Sequence, residues 1–136
     1  MDVSIEHLGA VQFEIKAREH TIVSDQPREN FGHDEGMTPP ELLLASLGSC
    51  AAFYAAQYLK KHNLAARGTR VQVFAEKVKD PTRLDNFRIE VEVPIDLDEK
   101  QRAGLDAAVH HCLIHMTLLH PPTMTIAIKN VASAVR

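Results

Sequence analysis

The run from Thr38 to Lys61 restricts the fold of this chain more than any other stretch. Thr38 suits a helix N-cap, Pro39 the first helical position, and Glu41 the place where a capping box needs its acid. One long helix is therefore predicted from Thr38 to about Lys61. Its apolar residues, among them Leu42, Leu43, Leu47, Ala51, Phe53 and Leu59, lie nearly all the way round. Such a helix must be covered on most sides. A single small sheet covers one face, so a second chain is expected to supply the rest. Ser46, Gly48, Ser49 and Gln57 interrupt the apolar run and make it too polar for a bilayer span. It reads as a core helix, and no membrane partner is expected.

The flanking segments read as strands and a second helix. Val11, Phe13, Ile15 and Ala17 alternate with Gln12, Glu14 and Lys16, the period of a half-buried strand. Arg18-Glu19-His20 turns the chain, and Thr21 to Ser24 returns as a short strand. Asp25, Pro27, Gly32, Asp34 and Gly36 mark residues 25–38 as an exposed polar loop. Two alternating segments, 70–78 and 87–93, flank a turn-rich stretch from Asp80 to Asn86 and predict an antiparallel pair. Asp96 to Glu99 starts a second helix reaching roughly Leu119, where Pro121-Pro122 stops it. Thr123 to Val131 reads as a last strand. The order ββαββαβ, two helices with an antiparallel sheet, is α+β rather than βαβ winding. Residues 1–136 form one domain, and an apolar share of 45% is enough for a packed core.

Charge and cysteine content narrow the function. The formal net charge of −3, the lack of a basic stripe and the absence of tryptophan argue against a nucleic-acid partner. Two cysteines do not make a disulfide-stapled secreted scaffold. The N-terminus, Met-Asp-Val-Ser-Ile-Glu-His, shows no secretory signal, so the cytoplasm is the expected location.

The two thiols are the candidate chemistry. Cys50 stands some three turns into the long helix, beyond the reach of the N-terminal dipole, so any activation must come from a charge folded back over it. Without one, it is a small core hydrophobe. Arg28, in the loop leading into the helix, is the candidate cation; Arg18, at a hairpin tip, competes with it. Either could equally be a surface arginine. Glu41 is explained by capping, and a capping carboxylate could also orient a guanidinium. Cys112 lies in His110-His111-Cys112-Leu113-Ile114-His115. His111, Cys112 and His115 have a spacing open to zinc, yet one helix supplies too few convergent ligands and no CxxC stands elsewhere. Ordinary helix histidines are the plainer reading, and no metal is expected. Whether Cys112 meets Cys50 depends on the two helices crossing with Cα atoms within about 7 Å.

The chain resembles the OsmC/Ohr family, the osmotically induced protein C and organic hydroperoxide resistance proteins, over nearly its whole length. The specific segments are Gly36-Met-Thr-Pro-Pro-Glu-Leu-Leu-Leu-Ala-Ser-Leu-Gly-Ser-Cys50 and His111-Cys112-Leu-Ile-His-Met-Thr-Leu118. The resemblance implies an intertwined homodimer with its sites at the subunit interface, and thiol-dependent reduction of organic hydroperoxides. On that pattern Cys50 is the peroxidatic thiol, Cys112 resolves its sulfenic acid as a disulfide, and Arg28 stabilises the thiolate. A lipoyl or thioredoxin-like dithiol then restores both thiols, and no cofactor is required. Counting back from Cys50, the family's glutamate position falls on Pro40, with Glu41 one residue later. The loop around Arg28 is acidic, and the arginine-bearing hairpin of the Ohr branch has no counterpart. These departures fit the OsmC-like branch.

The expected function is a peroxidase of oxidative stress defence. The competing expectation is a non-enzymatic dimer that holds a small hydrophobic or thiol-reactive ligand in its interface cleft. A metal-linked role through His111, Cys112 and His115 is the third.

Overall fold

The computed structural model describes residues 1–131. Three strands come first: β1 (Ser4–Gly9), β2 (Gln12–Ala17) and β3 (His20–Ser24) form an antiparallel sheet in the order β1-β2-β3. The β2 and β3 assignments match the alternation in the sequence. β1 was not expected: its alternation fails after His7, where the register of its ladder with β2 also slips between His7 and Gly9. Ala10 in the first turn and Arg18 in the second adopt left-handed backbone.

Residues 25–37 form a closed loop. Its ends are joined by a bond from Asp25 N–H to Met37 O of 3.2 Å and by a parallel bridge between Ser24 and Met37. A short 3-10 turn at Arg28–Asn30 lies inside it. The long helix α1 (Pro39–Lys61) then starts as the sequence predicts. Thr38 is the N-cap, its side chain accepts from Glu41 N–H, and the Glu41 carboxylate accepts from Thr38 N–H at 2.8 Å.

β4 (Arg70–Val78) and β5 (Arg83–Glu92) form the expected antiparallel pair, with a bulge between Phe74 and Glu76, but β5 begins at Arg83, inside the stretch read as turn, because residues 83–85 continue the ladder with 76–78. α1 lies directly on β4: a Cβ at Gly48 would stand 2.9 Å from Val73 Cγ2. The second helix is the expected one only in its first half. α2 (Glu99–His110) is capped by Asp98 with Gln101 as its capping-box partner, and α3 (Leu113–Leu119) is a separate helix. The break falls at Cys112, whose ψ of 125° cannot continue a helix. α2 packs closely on α1, where a Cβ at Gly104 would stand 2.3 Å from the Tyr58 hydroxyl.

Leu47, Ala51, Ala55 and Leu59, one i, i+4 row of α1, form the buried centre with Leu105 of α2 and Cys112. By length and composition alone α1 is apolar enough to cross a membrane, with a mean hydropathy of 1.4. Here that apolar surface is the seat of α2, α3 and β4. The opposite face is not covered by the described residues: Phe53 is 59% exposed, and Ala45, Ser46 and Ser49 are exposed beside it.

Two further features leave apolar surface open. Among the described residues, the β1–β3 sheet makes no substantial contact with α1, α2, β4 or β5. The expected strand at Thr123–Val131 does not form; residues 121–131 have no regular secondary structure. Its alternation is genuine, but a strand needs a neighbour, and the described residues give it none. Ile126 and Ile128 are 92% and 93% exposed. The architecture is thus two antiparallel sheets and three helices, an α+β fold of order βββαββαα.

Candidate functional site

The fold brings the two cysteines together. Cys50 lies midway along α1 and is half-buried; Cys112 is fully buried at the start of α3. Their side chains are near neighbours, close enough for Cys50 to act directly on the Cys112 thiol. The cause is the break between α2 and α3. A continuous helix would carry the Cys112 side chain round with the turn of its neighbours, whereas extended backbone there lets the sulfur sit against α1. Loss of water by burial pushes the Cys112 thiol up from its ordinary value, and the neighbouring Cys50 side chain raises it further. The amides of His115 and Ile114, at the N-terminus of α3, act in the opposite direction without overcoming burial. Cys112 is therefore a thiol near neutral pH, a proton donor beside the more accessible Cys50.

The charged candidates stand elsewhere. Arg28 is exposed in its 3-10 turn and Arg18 is exposed at the β2–β3 tip. No hydrogen bond or ion pair joins either to Cys50 among the described residues. Glu41 is at the start of α1, nine residues before Cys50 and so about 13 Å away along the helix axis, with its carboxylate engaged in the cap. His111, Cys112 and His115 do not converge. No group of three His, Cys, Asp or Glu side chains among the described residues is arranged to hold a metal ion. His115 instead sits half-buried, with its Nδ1 3.3 Å from His110 O and its ring edge-on to that of His110.

Two grooves open along the inner face of β5. One, about 570 Å³, lies between α1, β5 and α3 and is lined by Leu43, Leu47, Phe87, Leu118 and Leu119. The other, about 400 Å³, lies between β5 and α2 and is lined by Ile89, Val91, Leu105, Arg102 and Asp106 among others. Phe87, Ile89 and His115 belong to both. Leu43 and Leu47 occupy the same side of α1 as Cys50, so the larger groove runs beside the row that carries the thiol.

One charged residue of consequence was not singled out from the sequence beyond its turn-forming type. Asp25 is 1% exposed. Its Oδ1 accepts from Gln26 N–H at 2.7 Å, and its Oδ2 accepts from Glu35 N–H at 3.1 Å, His33 N–H at 3.2 Å and Gln12 Nε2 at 3.3 Å. Burial alone would raise the pKa of this carboxyl, but the donors together outweigh it and hold the group below the usual carboxylate value.

A thiol pair at the meeting of a central helix with a broken second helix, beside the β4–β5 pair and with a three-stranded antiparallel sheet standing apart, defines an α+β protein. The sequence model of the family described as OsmC-like protein matches residues 32–127, and the chain belongs to the OsmC-like family. Solved structures agree on the fold. A protein from Psychrobacter arcticus 273-4, named for osmotic stress induction and a detoxification response, is 21% identical over 85% of each chain, with a TM-score of 0.77. An OsmC-like protein from Mycoplasma pneumoniae is 18% identical over 88% of this chain and 87% of its own, with a TM-score of 0.71. A Legionella pneumophila protein, described as an organic hydroperoxide resistance protein OsmC and predicted redox protein, is 14% identical over 86% and 87%, with a TM-score of 0.57. At these identities the likeness concerns the fold. No curated protein matches the sequence.

Proposed function

We propose that this protein is a thiol-dependent peroxidase that reduces organic hydroperoxides through Cys50 and Cys112. The observation that carries the reading is the proximity of a half-buried thiol on α1 and a fully buried one at the α2–α3 break. Cys50 is the more accessible sulfur and attacks the outer peroxide oxygen. The O–O bond breaks, the alkoxide takes a proton and leaves as the alcohol, and Cys50 becomes a sulfenic acid. Cys112 then attacks that sulfur, water leaves, and a disulfide forms. An external dithiol, lipoyl or thioredoxin-like, reduces the disulfide by exchange and is itself oxidised. The groove between α1, β5 and α3 suits the organic part of the substrate.

The working molecule in this reading is a homodimer in the cytoplasm, where free thiols persist. The uncovered face of α1, the isolated β1–β3 sheet and the apolar segment after His120 are what a second copy would bury. Arg28, exposed and not bonded to Cys50 of its own chain, would serve Cys50 of the partner subunit. The test is to add one equivalent of an organic hydroperoxide to reduced protein. The expected result is loss of both thiols with a fall in mass of about two daltons, the two hydrogens removed on forming a disulfide. Cys50→Ser abolishes peroxide consumption, whereas Cys112→Ser allows one turnover and traps a sulfenic acid. Peroxide consumption that survives Cys50→Ser would rule the proposal out.

A non-enzymatic role is the second reading. The grooves favour it, as does the absence of a cation beside Cys50 among the described residues of this chain. Unreacted peroxide with both thiols intact, together with an apolar ligand retained through purification, would favour it over the peroxidase.

A further inference from the structure

We infer that Asp25 is the positioning residue for Arg28, holding the loop that presents the guanidinium; this rests on the reading of Cys50 and Arg28 above. A buried carboxylate is costly unless it is well partnered. Among the described residues no cation pairs with it, and its four donors come from its own loop and from the strand behind. Gln26, His33 and Glu35 contribute backbone N–H groups from three points around the ring of residues 26–37, and Gln12 reaches across from β2. The same Gln12 amide also donates to Glu35 at 2.7 Å, tying the outgoing limb of the loop to the sheet.

The carboxylate thus takes the place of a small core. Gly32 passes so close to it that an added Cβ would stand 2.8 Å from Asp25 Oδ1 and 1.8 Å from Gln26 O. Gly36 is equally tight against Val23 O, at 2.2 Å. The chain inside this ring has little freedom. Gly32 N–H and Asn30 N–H both donate to Pro27 O, and Phe31 and Asp34 are held at φ values of 68° and 59°. Arg28 follows Pro27 at the start of the turn that these bonds fix. Compact loops with joined ends and an internal anchor are frequent carriers of function. Phe31, 86% exposed at the tip, shows that this one is not organised by apolar packing of its own. Asp25 therefore organises the loop, and the loop decides where Arg28 stands.

The test measures alkylation of Cys50 in a Cys112→Ser background, which reads the thiol environment without requiring peroxide turnover. Arg28→Gln is expected to slow alkylation about tenfold, the scale of one charge-assisted contact. Asp25→Ala should slow it comparably, and Asp25→Asn, which keeps one acceptor oxygen, by less. In the doubly substituted Asp25→Ala, Arg28→Gln protein the rate should equal that of Arg28→Gln alone, because Asp25 acts only through Arg28. Multiplying effects would overturn the inference, since a general structural defect adds to the loss of a cation. A full Arg28→Gln effect with none from either Asp25 variant overturns the inference and leaves the peroxidase reading standing. No effect from Arg28→Gln removes the Arg28 assignment and this inference with it. Loss of the fold in both Asp25 variants would mean that the carboxylate builds the domain rather than the loop, and would overturn it as well.

Discussion

At the scale of single residues, two ionisable groups are buried for different ends. Cys112 is buried and kept protonated, which suits a thiol that must wait until Cys50 has been oxidised. Asp25 is buried and kept ionised, because amide donors surround it. The sign of its pH dependence follows. The folded-state pKa lies below the ordinary value of 3.8, so the carboxylate contributes stability that is fully present above that value and is lost as pH falls through the lower folded one. Amide exchange at Gln26, His33 and Glu35 should therefore be slow at neutral pH and accelerate, relative to the helices, once the pH drops below about 4. In Asp25→Asn that acid-dependent step should disappear. An unchanged acid profile in the variant would show that another group controls the loop. Sequence treats these two residues unequally. A lone thiol in a histidine-rich run draws attention by its chemistry. Asp25, among Pro27, Asp34 and two glycines, looks like one turn former among several, and only its burial and four donors set it apart.

At the scale of elements, the helix starts were legible and the helix interruption was not. Thr38-Pro39-Pro40-Glu41 and Asp98 through Gln101 both form complete capping boxes, since capping depends on neighbours three residues apart. The α2–α3 break has no glycine or proline to announce it. His111 and Cys112 leave the helix where the buried sulfur meets α1, a tertiary contact that a local pattern cannot show. The capping role of Glu41 can be separated from a catalytic one. Its carboxylate accepts from Thr38 N–H, a bond that a glutamine oxygen also makes. Glu41→Gln should leave both the melting temperature and the peroxide rate within experimental scatter of the parent. Thr38→Ala should cost about 1 kcal/mol of stability, the usual worth of an N-cap. A steep fall in the rate for Glu41→Gln at unchanged melting temperature would instead make the carboxylate part of the reaction.

At the scale of the molecule, one chain leaves too much of its own apolar surface in water. Ile5 and Leu8 of β1 are 59% and 50% exposed, Phe53 projects from the core helix, and Met124, Ile126 and Ile128 lie free after α3. Soluble monomers seldom carry contiguous apolar patches on this scale, and a three-stranded sheet without a packed face has little independent stability. The all-round apolar character of α1 already demanded a second cover in the sequence, and the structure narrows the demand to the face carrying Ala45, Ser49 and Phe53. In the proposed dimer a second copy would meet all three needs through one two-fold contact: helix face against helix face, with the β1–β3 sheet and the segment after His120 wrapping the other protomer. Such an interface is self-complementary, so a single changed residue acts twice. Phe53→Glu should therefore shift the mass measured by light scattering from dimer to monomer, and deletion of the residues after His120 should lower the melting temperature in a concentration-dependent way. The proposed role of Arg28 adds a sharper consequence. If Arg28 serves the thiol of the other protomer, a mixed dimer of one Arg28→Gln chain and one Cys50→Ser chain carries both losses in one site and keeps the other site whole. Its remaining Cys50 faces the intact Arg28 and should react at the parental rate. A mixed dimer whose Cys50 instead reacts as slowly as the Arg28→Gln homodimer would place each arginine with the thiol of its own chain.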